Sequence, residues 1–284
     1  MRLDGRRQSS NFEDRRGRTT GKIAGIGGVA GVIITALVLW ISGGNPLDAL
    51  QGADLGNQKQ ENYVPSAKEE QYTVFARQIL AGTEDVWTEE FKKRGLTYRP
   101  PKLVVYTGSV QSGCGQGTAS MGPFYCSADE TIYLDLSFFD EMEQNMKAGG
   151  DFAFAYVIAH EVGHHVQHLL GTLDQAHSRM SRLPKKEANQ ESVRIELQAD
   201  YLAGVWAHHD NKMYNSLEPG DIEEGLNAAS KIGDDYLQKQ AQGYAVPETF
   251  NHGTSAQRIR WLKKGADSGV IDPNNTFSIP YSSL

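Results

Sequence analysis

Two histidines and a glutamate stand at a spacing that suits metal-assisted hydrolysis. In the string HEVGH at residues 160–164, His160 and His164 are one helical turn apart and project from the same face of a helix. Two imidazoles at this spacing can bind one Zn²⁺ ion, and Glu161 beside them can take a proton from a water molecule at the metal. The spacing therefore predicts one zinc ion per chain, with Glu161 as the general base of a hydrolytic reaction.

A catalytic zinc site needs a third protein ligand, and the next long helical segment offers one. Glu196 and Asp200 lie one turn apart in that segment, far enough beyond His164 for a loop and a returning antiparallel helix. The segment is otherwise apolar, which argues against a solvated acidic face, because a buried carboxylate needs a partner. The pattern predicts Glu196 as the third zinc ligand. Asp200 is expected to orient a ligand imidazole through its other N–H group.

A histidine near the C-terminal end leaves two interpretations open. His252 comes just before a predicted helix that Thr254 or Ser255 could cap, and its imidazole could point into the zinc cleft. There it would stabilise the negative charge on the oxygen of a tetrahedral intermediate. The alternative is a loop histidine that only ties the start of the helix to the body. His252 is therefore a candidate catalytic residue.

Two more histidines, His165 and His168, lie on the same predicted helix as the HEVGH string. His164 and His168 again have the spacing of one turn, but position 165 is a histidine, so this pair lacks the glutamate base. We therefore expect His165 and His168 to support the site or to lie on the helix surface, rather than to bind the metal.

The surrounding pattern predicts a single α+β domain, mainly helical with a small sheet. Residues 102–106 and 131–136 are rich in β-formers and typical of strands, and the glycine-rich stretch 107–123 between them predicts a loop. The strand at 131–136 could be an exposed edge that pairs with an extended substrate, or an ordinary internal strand. Helices are expected from residue 67 onward and over 137–147, 152–170, 191–209, 221–242 and 254–265.

The N-terminal part of the chain has a different character from the rest. Residues 1–22 carry a net charge of +4, and the remaining residues carry a net charge of −11. Residues 23–41 are uncharged and almost wholly apolar, and as a helix they would measure about 28 Å, close to the bilayer core of about 30 Å. We predict a basic cytoplasmic tail over 1–22, a transmembrane helix over 23–41, a linker over 42–66 and an extracytoplasmic domain over 67–284. A cleaved signal peptide is the alternative, although its apolar core is usually shorter.

Charge and cysteine usage narrow the function classes further. The acidic body argues against a nucleic-acid-binding surface, which needs a basic field, so no nucleic-acid partner is expected. The two cysteines of the chain, Cys114 and Cys126, could form a disulfide if the domain lies outside the cytoplasm. They would be free thiols if the topology prediction were wrong.

Four separated motifs resemble the bacterial "putative neutral zinc metallopeptidase" family. They are, in order, GPFYCSADETIYLDLSFF, HEVGHHVQ, RIELQADYLAGVWA and FNHGTSAQRIRWLKKG. The family also tends to begin with a basic tail similar to MRLDGRRQSSNFEDRRG, followed by one membrane segment. The resemblance implies a zincin-like fold, with His160, His164 and Glu196 as zinc ligands and Glu161 as the base, but it implies no substrate. The ELQAD string is also similar to the glutamate helix of membrane-associated gluzincin proteases.

Together these features predict a gluzincin-type zinc peptidase that hydrolyses peptide bonds. It would be anchored through residues 23–41 in the lipid bilayer of the bacterial cytoplasmic membrane, as a single-pass protein with the N-terminus inside and the catalytic domain outside. Two alternatives stay open: a zinc-stabilised envelope scaffold or adaptor without turnover, and a zinc amidase that acts on cell-wall material. Glu161 argues against the scaffold, because ligation alone does not need it. The sequence does not indicate an oligomeric state.

Overall fold

The computed structural model describes residues 1–17, the two-residue strands at 22–23 and 55–56, and residues 63–284. The strands in this part of the chain are β1 (Phe12–Asp14), β2 (Lys22–Ile23), β3 (Leu55–Gly56), β4 (Lys102–Tyr106), β5 (Ser109–Ser112), β6 (Gly115–Thr118), β7 (Phe124–Cys126) and β8 (Thr131–Asp135). The main sheet has the order β1-β4-β8-β7, with β1 and β8 parallel to β4, and β7 antiparallel to β8. β2 and β3 form a short antiparallel pair, and β5 and β6 form a hairpin.

Helices make up most of the described chain. They are α1 (Ala67–Lys93), α2 (Ser137–Gln144), α3 (Asp151–Leu169), α4 (Thr172–Met180), α5 (Lys185–Tyr214), α6 (Asp221–Lys231), α7 (Asp234–Gln242) and α8 (Ser255–Ser268). Thr254 caps α8, since its side chain accepts a hydrogen bond from the N–H group of Gln257. The prediction of a mainly helical α+β domain with a small sheet is confirmed.

Helix α3 runs through the middle of the body and carries the HEVGH string. It is buried along almost its whole length, because it packs against α1, α5, α6 and the edge strand β7. A Cβ atom at Gly163 would lie only 2.9 Å from the carbonyl oxygen of Ala199, so this glycine lets α3 and α5 approach closely. The helix ends before Gly171, whose positive φ of 74° provides the expected glycine at the C-terminal end.

Four elements differ from expectation. The stretch between the helices predicted at 152–170 and 191–209 contains α4, and α5 begins at Lys185. The interpretation of the strand at 131–136 as an exposed edge is wrong, because β8 pairs with β4 on one side and β7 on the other. The predicted loop over 107–123 contains the β5–β6 hairpin, whose polar and glycine residues give only a weak strand pattern. The predicted helix over 221–242 is two helices, because Gly233 is extended and lies against the backbone of Ser255.

The N-terminal residues also differ from expectation. Because β1 is a strand of the main sheet, residues 1–17 belong to the folded body and do not form a separate tail. The predicted membrane segment lies outside the described residues, apart from Ile23, which is in β2 rather than in a helix. Most of the predicted linker lies outside them too. In the part of the chain that the structure describes, no helix is long and apolar enough to span a bilayer.

Candidate metal centre

Helices α3 and α5 bring three potential metal ligands together. His160 and His164 project from α3 and Glu196 projects from α5, and their ligand atoms all lie within 4.8 Å of one another. The Nε2 atom of His160 is 3.2 Å from Oε2 of Glu196, and the Nε2 atom of His164 is 3.5 Å from Oε1. The structure thus places side by side the three residues that the sequence predicts as ligands.

The spacing of these atoms fits a tetrahedral zinc ion. Zinc lies about 2.0–2.2 Å from nitrogen and oxygen ligands, so two ligand atoms of a tetrahedral site are about 3.3 Å apart. The separations of 3.2 and 3.5 Å, which involve different oxygens of Glu196, are close to that value, and all the ligand atoms lie within 4.8 Å of one another. Two imidazoles and one carboxylate are also a donor set of catalytic zinc sites, which keep a fourth position open for water or substrate. The residues present therefore fit a zinc ion.

A buried ion pair orients the imidazole of His160. The Nδ1–H group donates a hydrogen bond to Oδ1 of Asp200 over 2.9 Å, which leaves Nε2 to face the ligand cluster. Asp200 is fully buried and also accepts a hydrogen bond from the hydroxyl of Tyr156. Arg258, on α8, donates to both oxygens of Asp200, over 2.8 and 2.9 Å. This bidentate pair holds the carboxylate, and through it the imidazole, in one orientation.

Neutral amides orient the imidazole of His164 instead. Its Nδ1–H group donates to Oε1 of Gln167 over 2.9 Å. The amide nitrogen of Gln167 donates to the carbonyl of Ile195 and to Gln198, and Gln198 donates to the carbonyl of Pro273 near the C-terminal end. A carboxylate partner makes an imidazole a better electron donor than an amide partner does, so the two ligand histidines are electronically different.

Burial and charge shift the pKa values of this centre in opposite directions. Burial alone would raise the pKa of Glu196, but His164 and His160 hold it well below its usual range. Burial also opposes the charged form of His160, but Asp200 and Glu196 raise the pKa of His160 to about 10. The pKa of Glu161 is raised, because burial outweighs the attraction of the two histidines. A raised pKa brings a glutamate closer to the range in which a general base works near neutral pH.

His252 lies in the loop before α8 and lines the same cleft as Glu161 and Glu196. Its Nδ1–H group donates to Oδ1 of Asp234, the first residue of α7, over 3.1 Å. The other oxygen of Asp234 accepts hydrogen bonds from the backbone N–H groups of residues 251–253, over 2.7 to 2.9 Å. His252 therefore ties its loop to α7 and also has its ring at the cleft.

The cleft has a volume of about 390 Å³ and mostly apolar walls. The wall residues include Phe124, Phe138, Val157, Leu173, Met180 and Ile195. Strand β7 forms one rim, and a disulfide between Cys114 and Cys126 ties it to the turn of the β5–β6 hairpin. Within the described residues, no further strand pairs with the outer edge of β7.

His165 is occupied by protein partners on both ring nitrogens. Its Nε2–H group donates to the carbonyl of Arg99 over 2.6 Å, and its Nδ1 atom accepts from the hydroxyl of Tyr125 over 2.9 Å. Burial lowers the pKa of His165 to about 4, so the ring is neutral at ordinary pH. His165 thus holds β7 against α3. His168 is partly exposed at the end of α3.

The sequence reasoning missed Arg258, Gln167 and Asp234. Arg258 lies close to Arg260 in one of the quoted motifs, but only Arg258 is buried, and its partner lies on another helix. Gln167 offered a local signal, because it stands three residues after His164 and therefore on the same helix face.

Comparisons with known proteins agree with the site. A family described as "Putative neutral zinc metallopeptidase" matches residues 1–277. "Uncharacterized protein YpfJ" of Escherichia coli (strain K12) is 48% identical over 284 residues, which cover 98% of this chain and 99% of that protein. "Uncharacterized protein Rv2575" of Mycobacterium tuberculosis (strain ATCC 25618 / H37Rv) is 42% identical over 193 residues, or 64% of each chain. No solved structure matches the chain. The chain belongs to the "Putative neutral zinc metallopeptidase" family.

Proposed function

We propose that the protein is a zinc-dependent peptidase that hydrolyses peptide bonds. The observation that carries the proposal is the position of Glu161, which is buried and lines the cleft beside His160, His164 and Glu196. Metal ligation alone would need only the three ligands. A further carboxylate beside them is what a hydrolytic site needs as a general base, which favours turnover over a scaffold role.

Each residue of the centre has a separate task in this reaction. A zinc ion held by the three ligands would polarise the substrate carbonyl and lower the pKa of a water molecule to about 7. Glu161 takes a proton from the attacking water and delivers it to the leaving amine. His252, oriented by Asp234, donates a hydrogen bond to the carbonyl oxygen as negative charge develops there. Asp200 keeps one ligand imidazole in the required orientation.

An extended peptide is the substrate that suits this cleft. The outer edge of β7 can offer main-chain hydrogen bonds to an extended peptide. Such hydrogen bonds bind peptides largely independently of their sequence. The apolar walls would then favour apolar side chains next to the bond that is cleaved. The disulfide supports an extracytoplasmic location for the domain, since disulfides persist in oxidising compartments. Attachment to the lipid bilayer through residues 23–41 stays part of the proposal, but a single crossing does not, because residues 12–14 and the domain share one sheet.

Parallel assays on three substrate classes test this function. The full-length protein should be used, because residues 1–17 belong to the fold. We expect one zinc ion per chain, with cleavage of casein and of a peptide library and no products from cell-wall fragments. Products from cell-wall fragments alone would support a zinc amidase instead. Bound zinc with no cleavage of any of the three would support a scaffold.

A further inference from the structure

Residues 1–17 are built into the body as an edge of its sheet. Strand β1 runs parallel to β4 in a three-residue register. The N–H group of Leu103 donates to the carbonyl of Asn11, and the N–H group of Arg15 donates to the carbonyl of Val105, each over 2.8 Å. Backbone hydrogen bonds therefore continue on both sides of the register, so the segment is a regular sheet strand rather than a chain that lies loosely on the surface.

A buried ion pair anchors the segment further upstream. The two terminal nitrogens of Arg6 lie 2.7 and 3.3 Å from the carboxylate oxygens of Asp210 on α5. The side chain of Asp210 is 1% exposed and that of Arg6 is 11% exposed. A buried carboxylate without its cation is strongly destabilising, so the body depends on Arg6 at this position.

Helix α1 also forms hydrogen bonds and ion pairs with side chains of residues 1–17. Glu84, which is buried on α1, accepts hydrogen bonds from the hydroxyl of Ser9 and from the guanidinium of Arg7. Arg16 lies 2.8 Å from Glu70, also on α1, and its side chain is 2% exposed. Arg6, Arg7 and Arg16 of this segment therefore pair with carboxylates of the body.

These contacts hold residues 1–17 against the body, which limits how the chain can be arranged across a membrane. A helix that crosses a bilayer once holds its two flanks about 30 Å apart on opposite sides, whereas neighbouring strands of a sheet are about 4.8 Å apart. We propose that residues 1–17 lie on the same side of the membrane as residues 63–284 and fold with them as one unit. This arrangement replaces a single crossing with the N-terminus inside and the domain outside. It does not depend on zinc or on peptidase activity.

Cysteine accessibility tests the proposal in membranes. Gln8→Cys places a thiol at an exposed position of the N-terminal segment, and Tyr244→Cys places one on the body at a residue that is 61% exposed. The unsubstituted chain serves as background, because both of its cysteines are in the disulfide. Spheroplasts that contain each full-length variant are treated with a membrane-impermeant maleimide. The labelled fraction is then compared with that after lysis.

We expect the two variants to give the same ratio of labelling before and after lysis. Protection of Gln8→Cys until lysis, with Tyr244→Cys labelled in intact spheroplasts, would overturn the proposal, and so would the reverse. A double-mutant cycle with Arg6→Gln and Asp210→Asn tests the contact itself in the extracted full-length chain. The double variant should lose less melting temperature than the sum of the single losses, whereas an additive loss would overturn the packing.

Discussion

Gly163→Ala would add one methyl group at the crossing of α3 and α5. A Cβ atom at Gly163 would lie 2.9 Å from the carbonyl oxygen and 3.2 Å from the Cα atom of Ala199. Both are backbone atoms, so no side chain can rotate away and the helices themselves must move. Ordinary van der Waals contact begins at 3.4 Å, which requires a separation of about 0.5 Å.

That movement would change the distances between the ligand residues on α3 and the one on α5. Glu196 lies one turn before Ala199 on α5, and His160 and His164 flank Gly163 on α3. Metal–ligand distances hold to within about 0.2 Å, so we expect the Kd for zinc to rise about 10–100-fold. The free energy of unfolding should change less. Overpacking costs about 1–3 kcal/mol, but alanine recovers about 1 kcal/mol of helix propensity relative to glycine.

Competition with a chelator of known affinity measures the Kd for zinc, and thermal unfolding measures the stability. Gly225→Ala is the matched control, because a Cβ atom there would lie 2.6 Å from the ring of Phe152, two turns before His160 on α3. We expect the control to lose stability but to keep the wild-type affinity for zinc. An unchanged affinity in Gly163→Ala would refute the reasoning that this glycine sets the ligand spacing.

Three further substitutions test other parts of the molecule. Asp200→Asn removes the charge that orients a ligand imidazole, and it should weaken zinc binding about 10–100-fold in the same competition assay; wild-type affinity would contradict the orienting role. His252→Ala should lower kcat for peptide cleavage about 100–1000-fold while zinc content stays unchanged. A parallel loss of zinc would indicate a structural role for this residue instead. Arg6→Gln leaves Asp210 buried without its partner, so denaturant unfolding of the full-length chain should show a loss of about 3–5 kcal/mol; an unchanged stability would mean that the N-terminal segment does not pack on α5.

The ligand cluster could be predicted because the spacing of residues within each helix indicates which side chains share a face. One turn of helix decides that His160 and His164 share a face, and the same rule relates Glu196 to Asp200 on the next long helix. The meeting of these two helices follows from the need to satisfy a carboxylate in an apolar segment. Local periodicity also predicted most helices of the body, but it missed α4 and the break at Gly233, which depends on a contact with another helix.

The residues that support the site could not be predicted, because their partners lie far along the chain. Arg258 is 58 residues from Asp200, and Arg6 is 204 residues from Asp210. Without knowledge of those partners, an N-terminal run of arginines is typical of a free basic tail, whereas the structure packs residues 1–17 on the body. The sheet order is equally non-local, since nothing in the strand at 131–136 shows which neighbours will cover its edges.

The most direct test of the peptidase proposal compares wild type with Glu161→Gln in the full-length chain, by zinc content and by kcat for cleavage of a peptide selected from the library. Glutamine keeps the shape of the side chain but cannot accept the proton, and Glu187→Gln on the exposed face of α5 is the matched control. We expect all three proteins to hold one zinc ion, and kcat to fall about 100–10,000-fold in Glu161→Gln alone. Wild-type activity in Glu161→Gln, with zinc retained, would contradict the account.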